Sequence, residues 1–256
     1  MNILFLGDVT ARSGRAAVVR RLPSLKKECA ADFTIVNGEN AAHGKGITTS
    51  IYRELMNAGA DVITLGNHMF SKREITEHME ECPYLIRPGN QIPLAPGNSW
   101  VVRECRGKRI AVVSLSGSVF MDNISESPIS AMEKLLKEIE ADLIITDLHA
   151  EATGEKELFL HCFKDRLTAV IGTHTHVQTA DEHVYEGCAY ITDAGMCGPV
   201  DSILGRDPEE VKTKQLLGVK TAYRPSENPA MICGVLIKTD DVSCRALSIE
   251  RIQERP

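Results

Sequence analysis

Five short apolar runs in this chain each stop at residues able to hold a metal ion. They end in Gly7-Asp8, Gly38-Glu39-Asn40, Gly66-Asn67-His68, Leu148-His149-Ala150-Glu151 and Gly172-Thr173-His174-Thr175-His176. The runs have the length and β-branched content of strands, as in Phe33-Thr34-Ile35-Val36 and Asp61-Val62-Ile63-Thr64-Leu65. Stretches with helical spacing separate them in the first half of the chain. That alternation, with hairpins later in the chain, predicts a central mixed sheet or two packed sheets with helices outside, and open α/β sheets bind ligands beyond the carboxyl ends of their strands. The sequence therefore predicts an α/β fold with one cleft on which the five motifs converge. A glycine ahead of a ligand residue lets the backbone turn sharply and leaves space for an ion.

The periodicity predicts a helix over 14–30, with Pro23 starting a second short helix, and another over 48–58 capped by Thr48 or Thr49. Residues 71–81 read as a helix with Ser71 and Glu74 as a capping box. Residues 87–96 read as a loop, and 100–104 with 109–115 as a hairpin across Arg106-Gly107-Lys108. Helices are expected over 128–140 and 155–164. Later strands fall at 142–148, 168–171, 189–192, 231–238 and 243–252, around a polar insert over 201–228. No linker divides the chain, so 1–256 reads as a single domain with that stretch as an insert, either a solvated face or a lid.

Composition excludes several classes of function. The 256 residues carry 35 acidic against 29 basic side chains, a net charge of −6, which disfavours a long nucleic-acid partner. No apolar run approaches the ~18 residues of a membrane span, and Met1–Asp8 lacks the basic start of a signal peptide. Eight cysteines without a Cys-x-x-Cys pair read as reduced core thiols, so the expected location is cytoplasmic. A homo-oligomer stays open.

Taken singly, each motif says little, because a lone histidine after a strand is usually structural. His-x-His says more, because residues i and i+2 of an extended segment share a side. Taken in order, the motifs resemble the calcineurin-like metallophosphoesterases, whose pattern runs Asp-x-His, Gly-Asp, Gly-Asn-His, a lone His and Gly-His-x-His. The chain departs from that pattern at Thr10, where the first motif has its histidine, and at Glu39, which replaces an aspartate and is followed by Asn40. With Asn37–Ala41, Thr64–His68, Gly172–Gln178 and Asp193–Pro199 added, the chain is similar to the YmdB-like branch over nearly its whole length.

The resemblance implies a four-layer sandwich of two mixed β-sheets flanked by helices. It also implies two metal ions bridged by Glu39, one held with Asp8, Asn40 and His176, the other with Asn67, His149 and His174. Mixed nitrogen and oxygen ligands suit iron or manganese, with zinc as a further candidate. The implied activity is a dinuclear phosphodiesterase that hydrolyses 2′,3′-cyclic nucleotides through a metal-bridging hydroxide, with other small phosphodiesters as further candidates. His68 would then be the general acid. A same-fold phosphomonoesterase and a non-catalytic scaffold are the alternatives, and the scaffold is disfavoured because the Asn67-His68 pair is kept.

The substrate contacts are less constrained. His43, in a glycine-rich loop after Glu39, either meets substrate or lies on the loop surface. Gly198, within 195–205, either offers backbone donors to phosphate or makes a tight turn. Arg206, Lys212, Lys214, Lys220 and Arg224 make the insert basic, as a solvated face or, alternatively, a nucleotide-binding lid. His78, His161 and His183 read as structural or surface residues, and Met56, Met79 and Met132 as core fillers.

Overall fold

The computed structural model describes residues 1–91 and 96–256. The chain opens with β1 (Asn2–Leu6), β2 (Asp8–Val9), α1 (Ala11–Glu28), β3 (Phe33–Asn37), α2 (Thr49–Ala58), β4 (Val62–Thr64), α3 (Arg73–Glu77) and β5 (Leu85–Ile86). It continues through β6 (Trp100–Cys105), β7 (Lys108–Ser116), α4 (Pro128–Leu135), β8 (Leu143–His149), α5 (Thr153–Phe163), β9 (Ala169–Thr173), β10 (His183–Tyr185) and β11 (Cys188–Ile191). It ends with β12 (Met196–Pro199), α6 (Pro208–Leu217), β13 (Ala230–Thr239) and β14 (Ala246–Glu254).

The strands form two mixed sheets. One runs β2-β12-β13-β1-β3-β4-β5, with β14 paired to β13, and the other runs β10-β11-β9-β8-β7-β6. In the first, β1, β3, β4 and β5 are parallel neighbours. In the second, β7, β8, β9 and β11 are.

Strict alternation of side chains makes the layers. Ile3 and Phe5 of β1, Ile35 of β3, Ile145 of β8 and Ile171 of β9 meet between the sheets. Their in-between neighbours Leu4, Leu6 and Val36 turn the other way, onto α1 and α2. On the second sheet Ala111, Val113 and Val170 pack on Phe159 and Phe163 of α5 and Met132 of α4. The result is helix, sheet, sheet, helix, as expected. A one-residue slip in β3 would turn Thr34 into the inter-sheet core and Ile35 onto the helix layer, so the register is tightly specified.

Three local expectations are corrected. Helix α1 runs unbroken through Pro23, because the ring lies on the exposed face while Leu22 and Leu25 stay in the core. Residues 71–81 do not form one helix, since α3 is short and flanked by 3-10 turns at Met69–Ser71 and Met79–Glu81. The Glu74 carboxylate instead accepts the Thr49 backbone N–H at 3.2 Å, so the cap partner is spent on α2. The helix expected over 128–140 ends at Leu135. Of the loop expected over 87–96, residues 92–95 lie outside the described residues. Among the described residues no helix is long and apolar enough to cross a membrane.

The insert over 201–228 contains α6, capped by the Asp207 side chain and by Gly218 in left-handed conformation. Ahead of it, Ile203 and Arg206 exchange backbone hydrogen bonds of 2.9 and 3.0 Å across Leu204 and Gly205. Both turn residues have positive φ, 50° and 89°.

Candidate metal centre

The alternation that fills the inter-sheet core continues one step beyond it. Two residues after Ile35, Val62, Ile145 and Ile171, in the same phase, come Asn37, Thr64, Asp147 and Thr173. All four are buried. The core therefore ends in a polar layer at the carboxyl ends of β3, β4, β8 and β9, and the motif residues stand on that layer.

They form two groups of donors. In one, His149 Nε2 has Glu39 Oε1, Asn67 Oδ1 and His174 Nδ1 around it, each at 3.0 Å. In the other, the Asn40 side-chain amide lies 3.0 Å from His176 Nε2 and 3.4 Å from Asp8 Oδ1. Turning that amide over puts its carbonyl oxygen beside the same two atoms. Thr10 does not take part: its hydroxyl points back to the Asp8 carbonyl at 3.1 Å. Glu39 touches the first group directly, and its Oε2 accepts the His68 backbone N–H at 3.2 Å.

This arrangement fits a cation better than a hydrogen-bond network. The outward nitrogens of two imidazoles are engaged by pure acceptors, His174 Nε2 by Glu151 at 3.1 Å and His176 Nδ1 by the Leu204 carbonyl at 3.1 Å. Those nitrogens therefore carry the protons, and the inward nitrogens present lone pairs. Lone pairs and carboxylate oxygens held 3.0 Å apart repel one another unless positive charge lies between them. Ligands ~2.0–2.1 Å from a tetrahedral ion lie ~3.3 Å from each other, close to the spacing of the first group. Gly66 leaves the room: a Cβ there would sit 2.1 Å from Glu39 Oε2 and 2.3 Å from His149 Cδ2.

Charge in the site is strongly coupled. Burial raises the Asp8 pKa, against the pull of His176 and His149. Burial works the same way on Glu39, but the adjacent His149 outweighs it and holds Glu39 down at about 2. Burial disfavours charge on His149, yet with no cation between them Glu39 and Asp8 overcome it and push His149 up to about 9, and a metal ion would bind by displacing that proton from Nε2. His174, half-buried beside His149, is driven down to about 3.

His174 and His176 lie on a backbone with φ of 103° and 65°, a strain that persists only where the surroundings fix it. Lys156 and Asp193 do so. Lys156 Nζ donates to the Thr173 carbonyl at 3.0 Å and to Asp193 Oδ2 at 3.1 Å, and Asp193 Oδ2 accepts the Thr175 N–H at 3.0 Å. Both side chains are fully buried. Lys156→Met should strand the Asp193 carboxylate at a cost of ~3–5 kcal/mol. A thermal melt should then show a midpoint lower by ~6–20 °C.

The donors open into a cleft of about 340 Å³ whose walls include His68, Lys45, Tyr223 and Arg206. Arg206 is paired to Glu210 at 2.7 Å. Lys45 Nζ stands 5.4 Å from the Tyr223 ring centre. His43 is exposed and lines a neighbouring groove with Arg12 and Arg224. Gly198 is buried in β12, where its Cβ position is 3.1 Å from Thr10 Cβ. Asp147, Leu204 and Lys156 were invisible as motif members, although Asp147 stands two residues before His149, in phase with it.

The chain matches the family described as YmdB-like protein over residues 4–252. It is 43% identical over 255 residues to the 2′,3′-cyclic-nucleotide 2′-phosphodiesterase of Bacillus subtilis, covering 98% of this chain and 96% of that protein. The structure of a hypothetical protein from Thermus thermophilus superposes with a TM-score of 0.94 at 36% identity, covering 100% of both chains. That of a novel phosphatase from Mycoplasma pneumoniae superposes at 0.93 with 33% identity, covering 100% of this chain and 95% of the other. With a metallophosphoesterase fold and a buried group of metal donors, the chain is a metallophosphoesterase-type enzyme and belongs to the YmdB-like protein family.

Proposed function

We propose that this chain is a two-metal phosphodiesterase that opens 2′,3′-cyclic nucleotides. The observation that carries the reading is the pair of donor groups, Asp8/Asn40/His176 and Glu39/Asn67/His149/His174, at the floor of one cleft rimmed by His68 and Lys45. Glu39, 3.0 Å from His149 Nε2 in one group and directly before Asn40 of the other in the chain, is the carboxylate shared between the groups. The oxygen and nitrogen donors suit iron or manganese. Two such ions, when bound, neutralise phosphoryl oxygens and make water acidic at neutral pH. The name of the Bacillus subtilis relative supports the substrate class, and the eight free thiols suit a cytoplasmic setting.

The protein's own residues do the rest. The two donor groups and the Lys45 ammonium fix where a phosphate can lie. His68 stands beside it and donates a proton to the leaving ribose oxygen. In the balanced step, water adds to phosphorus, the bond from phosphorus to O2′ breaks, and O2′ leaves as a hydroxyl. Adenosine 3′-phosphate is the expected product from 2′,3′-cyclic AMP, with 3′,5′-cyclic AMP and bis-p-nitrophenyl phosphate turned over more slowly. The test is a phosphoester panel on protein loaded with manganese or iron, with products resolved by chromatography. Cleavage of phosphomonoesters alone would defeat the reading in favour of a phosphatase.

A further inference from the structure

Asp147 is fully buried, and no lysine or arginine among the described residues pairs with it. Removing a carboxylate from water without a cation costs several kcal/mol, so a neutral side chain would be cheaper there unless the carboxylate has a task. Its surroundings show one. Asp147 Oδ1 accepts the Thr173 hydroxyl at 2.7 Å, and Oδ2 accepts the Asn37 amide at 2.9 Å and the Thr64 hydroxyl. Thr173 Oγ1 in turn faces His149 Nδ1 at 2.9 Å, and Asn37 Oδ1 accepts the Glu39 backbone N–H at 3.1 Å.

We propose that Asp147 is a positioning residue which, through Thr173, fixes the tautomer of His149 and, through Asn37, fixes the backbone of Glu39. The logic is in the donor count. An ionised carboxylate only accepts, and a threonine hydroxyl has a single proton. That proton goes to Asp147, so toward His149 the hydroxyl can only accept, and Nδ1 must carry the hydrogen. The Nε2 lone pair is then directed at Glu39 Oε1, Asn67 Oδ1 and His174 Nδ1. An amide at 147 would break the chain of constraint: its NH₂ could donate to Thr173, freeing the threonine proton for Nδ1 and placing the imidazole hydrogen on Nε2, against the donors. In the opposite orientation the amide would face the Asn37 NH₂ donor to donor. One carboxylate thus orients a ligand from each sheet, His149 on β8 and Glu39 after β3.

The inference rests on the metal-binding reading of the site, and the experiment keeps the two apart. Metal-stripped full-length protein is titrated with Zn²⁺ against a chelator, and the imidazole ¹⁵N signals are recorded in parallel. Wild-type protein that takes up no Zn²⁺ overturns the metal reading itself. With binding established, Thr173→Val should weaken one of the two Zn²⁺ sites by ~10–100-fold and shift the His149 signals away from the Nδ1–H form. Thr173→Ser should restore both, and Asp147→Asn should reproduce the valine result. Wild-type affinity and tautomer in Thr173→Val overturn the proposal. Equal weakening of both sites with the tautomer unchanged also does, because that is the mark of general loosening. If Thr173→Val does not fold, Asp147→Asn is judged by the same two readouts.

Discussion

Replacing Glu39 with alanine is expected to leave the protein with less than one metal ion per chain and no measurable phosphodiesterase activity. Glu39 is the carboxylate nearest the His149 group, with Oε1 3.0 Å from His149 Nε2, and it is almost wholly buried. Two unit charges 4 Å apart repel by ~4 kcal/mol at an effective dielectric near ~20, and two dications by about four times as much. Sites ~3.5–4 Å apart therefore stay filled only with anionic charge between them. Asp8 reaches both groups, its Oδ1 3.8 Å from His176 Nε2 and 3.9 Å from His149 Nδ1, but it faces the Nδ1 side of His149 and so cannot replace Glu39 at Nε2. Glu39→Gln keeps the shape and drops the charge, so it should lose metal nearly as fully. Elemental analysis on protein of normal circular dichroism decides the matter. Two ions at full occupancy in Glu39→Ala would remove Glu39 from its shared position.

Much of this site was legible because its residues follow strand ends. A β-branched run that stops at a glycine and a residue of ligand type reports both the strand and the place of that residue at its end. Adjacency of β1, β3 and β4, and of β8 and β9, then brings the motifs together. The departures have physical causes of another kind. Asp147 belongs to no motif, and its importance appears only when Thr64 and Asn37 from the facing sheet are seen to donate to it. Leu204 acts through a backbone carbonyl at a positive-φ turn, which its side chain does not announce. Pro23 does not break α1, because its missing N–H is a local penalty while Leu22 and Leu25 supply core contacts that outweigh it. Ser71 and Glu74 have capping-box spacing, but a tertiary partner, Thr49, takes the glutamate.

Replacing His68 with alanine should remove catalysis while leaving the metals in place. Asn67 turns its side chain down to His149 Nε2 at 3.0 Å. The next residue is anchored by its backbone N–H on Glu39 Oε2, and its ring lines the cleft instead. An imidazole so placed meets charge only when the ribose oxygen leaves, help worth ~10²–10⁴-fold in rate. Burial lowers the His68 pKa below its ordinary 6.5, Lys45, His149 and His176 add to the effect, and Glu39 opposes it. The acid form is lost as pH rises through that pKa, so the basic limb of kcat/KM, which reports the free enzyme, should fall on the acid side of 6.5. A bound phosphodiester brings negative charge to the ring and favours imidazolium, so the limb in kcat should lie at higher pH. Both limbs should vanish in His68→Ala. The leaving group supplies the sharpest control. A ribose oxygen departs poorly without a proton, whereas nitrophenolate is stable without one. His68→Ala should therefore lose ~10²-fold or more on 2′,3′-cyclic AMP and far less on bis-p-nitrophenyl phosphate. By contrast, His149→Ala and His174→Ala should lose metal and both activities together. Equal losses on the two substrates, or near-normal turnover of the cyclic nucleotide with both metals bound, would take the acid role from His68.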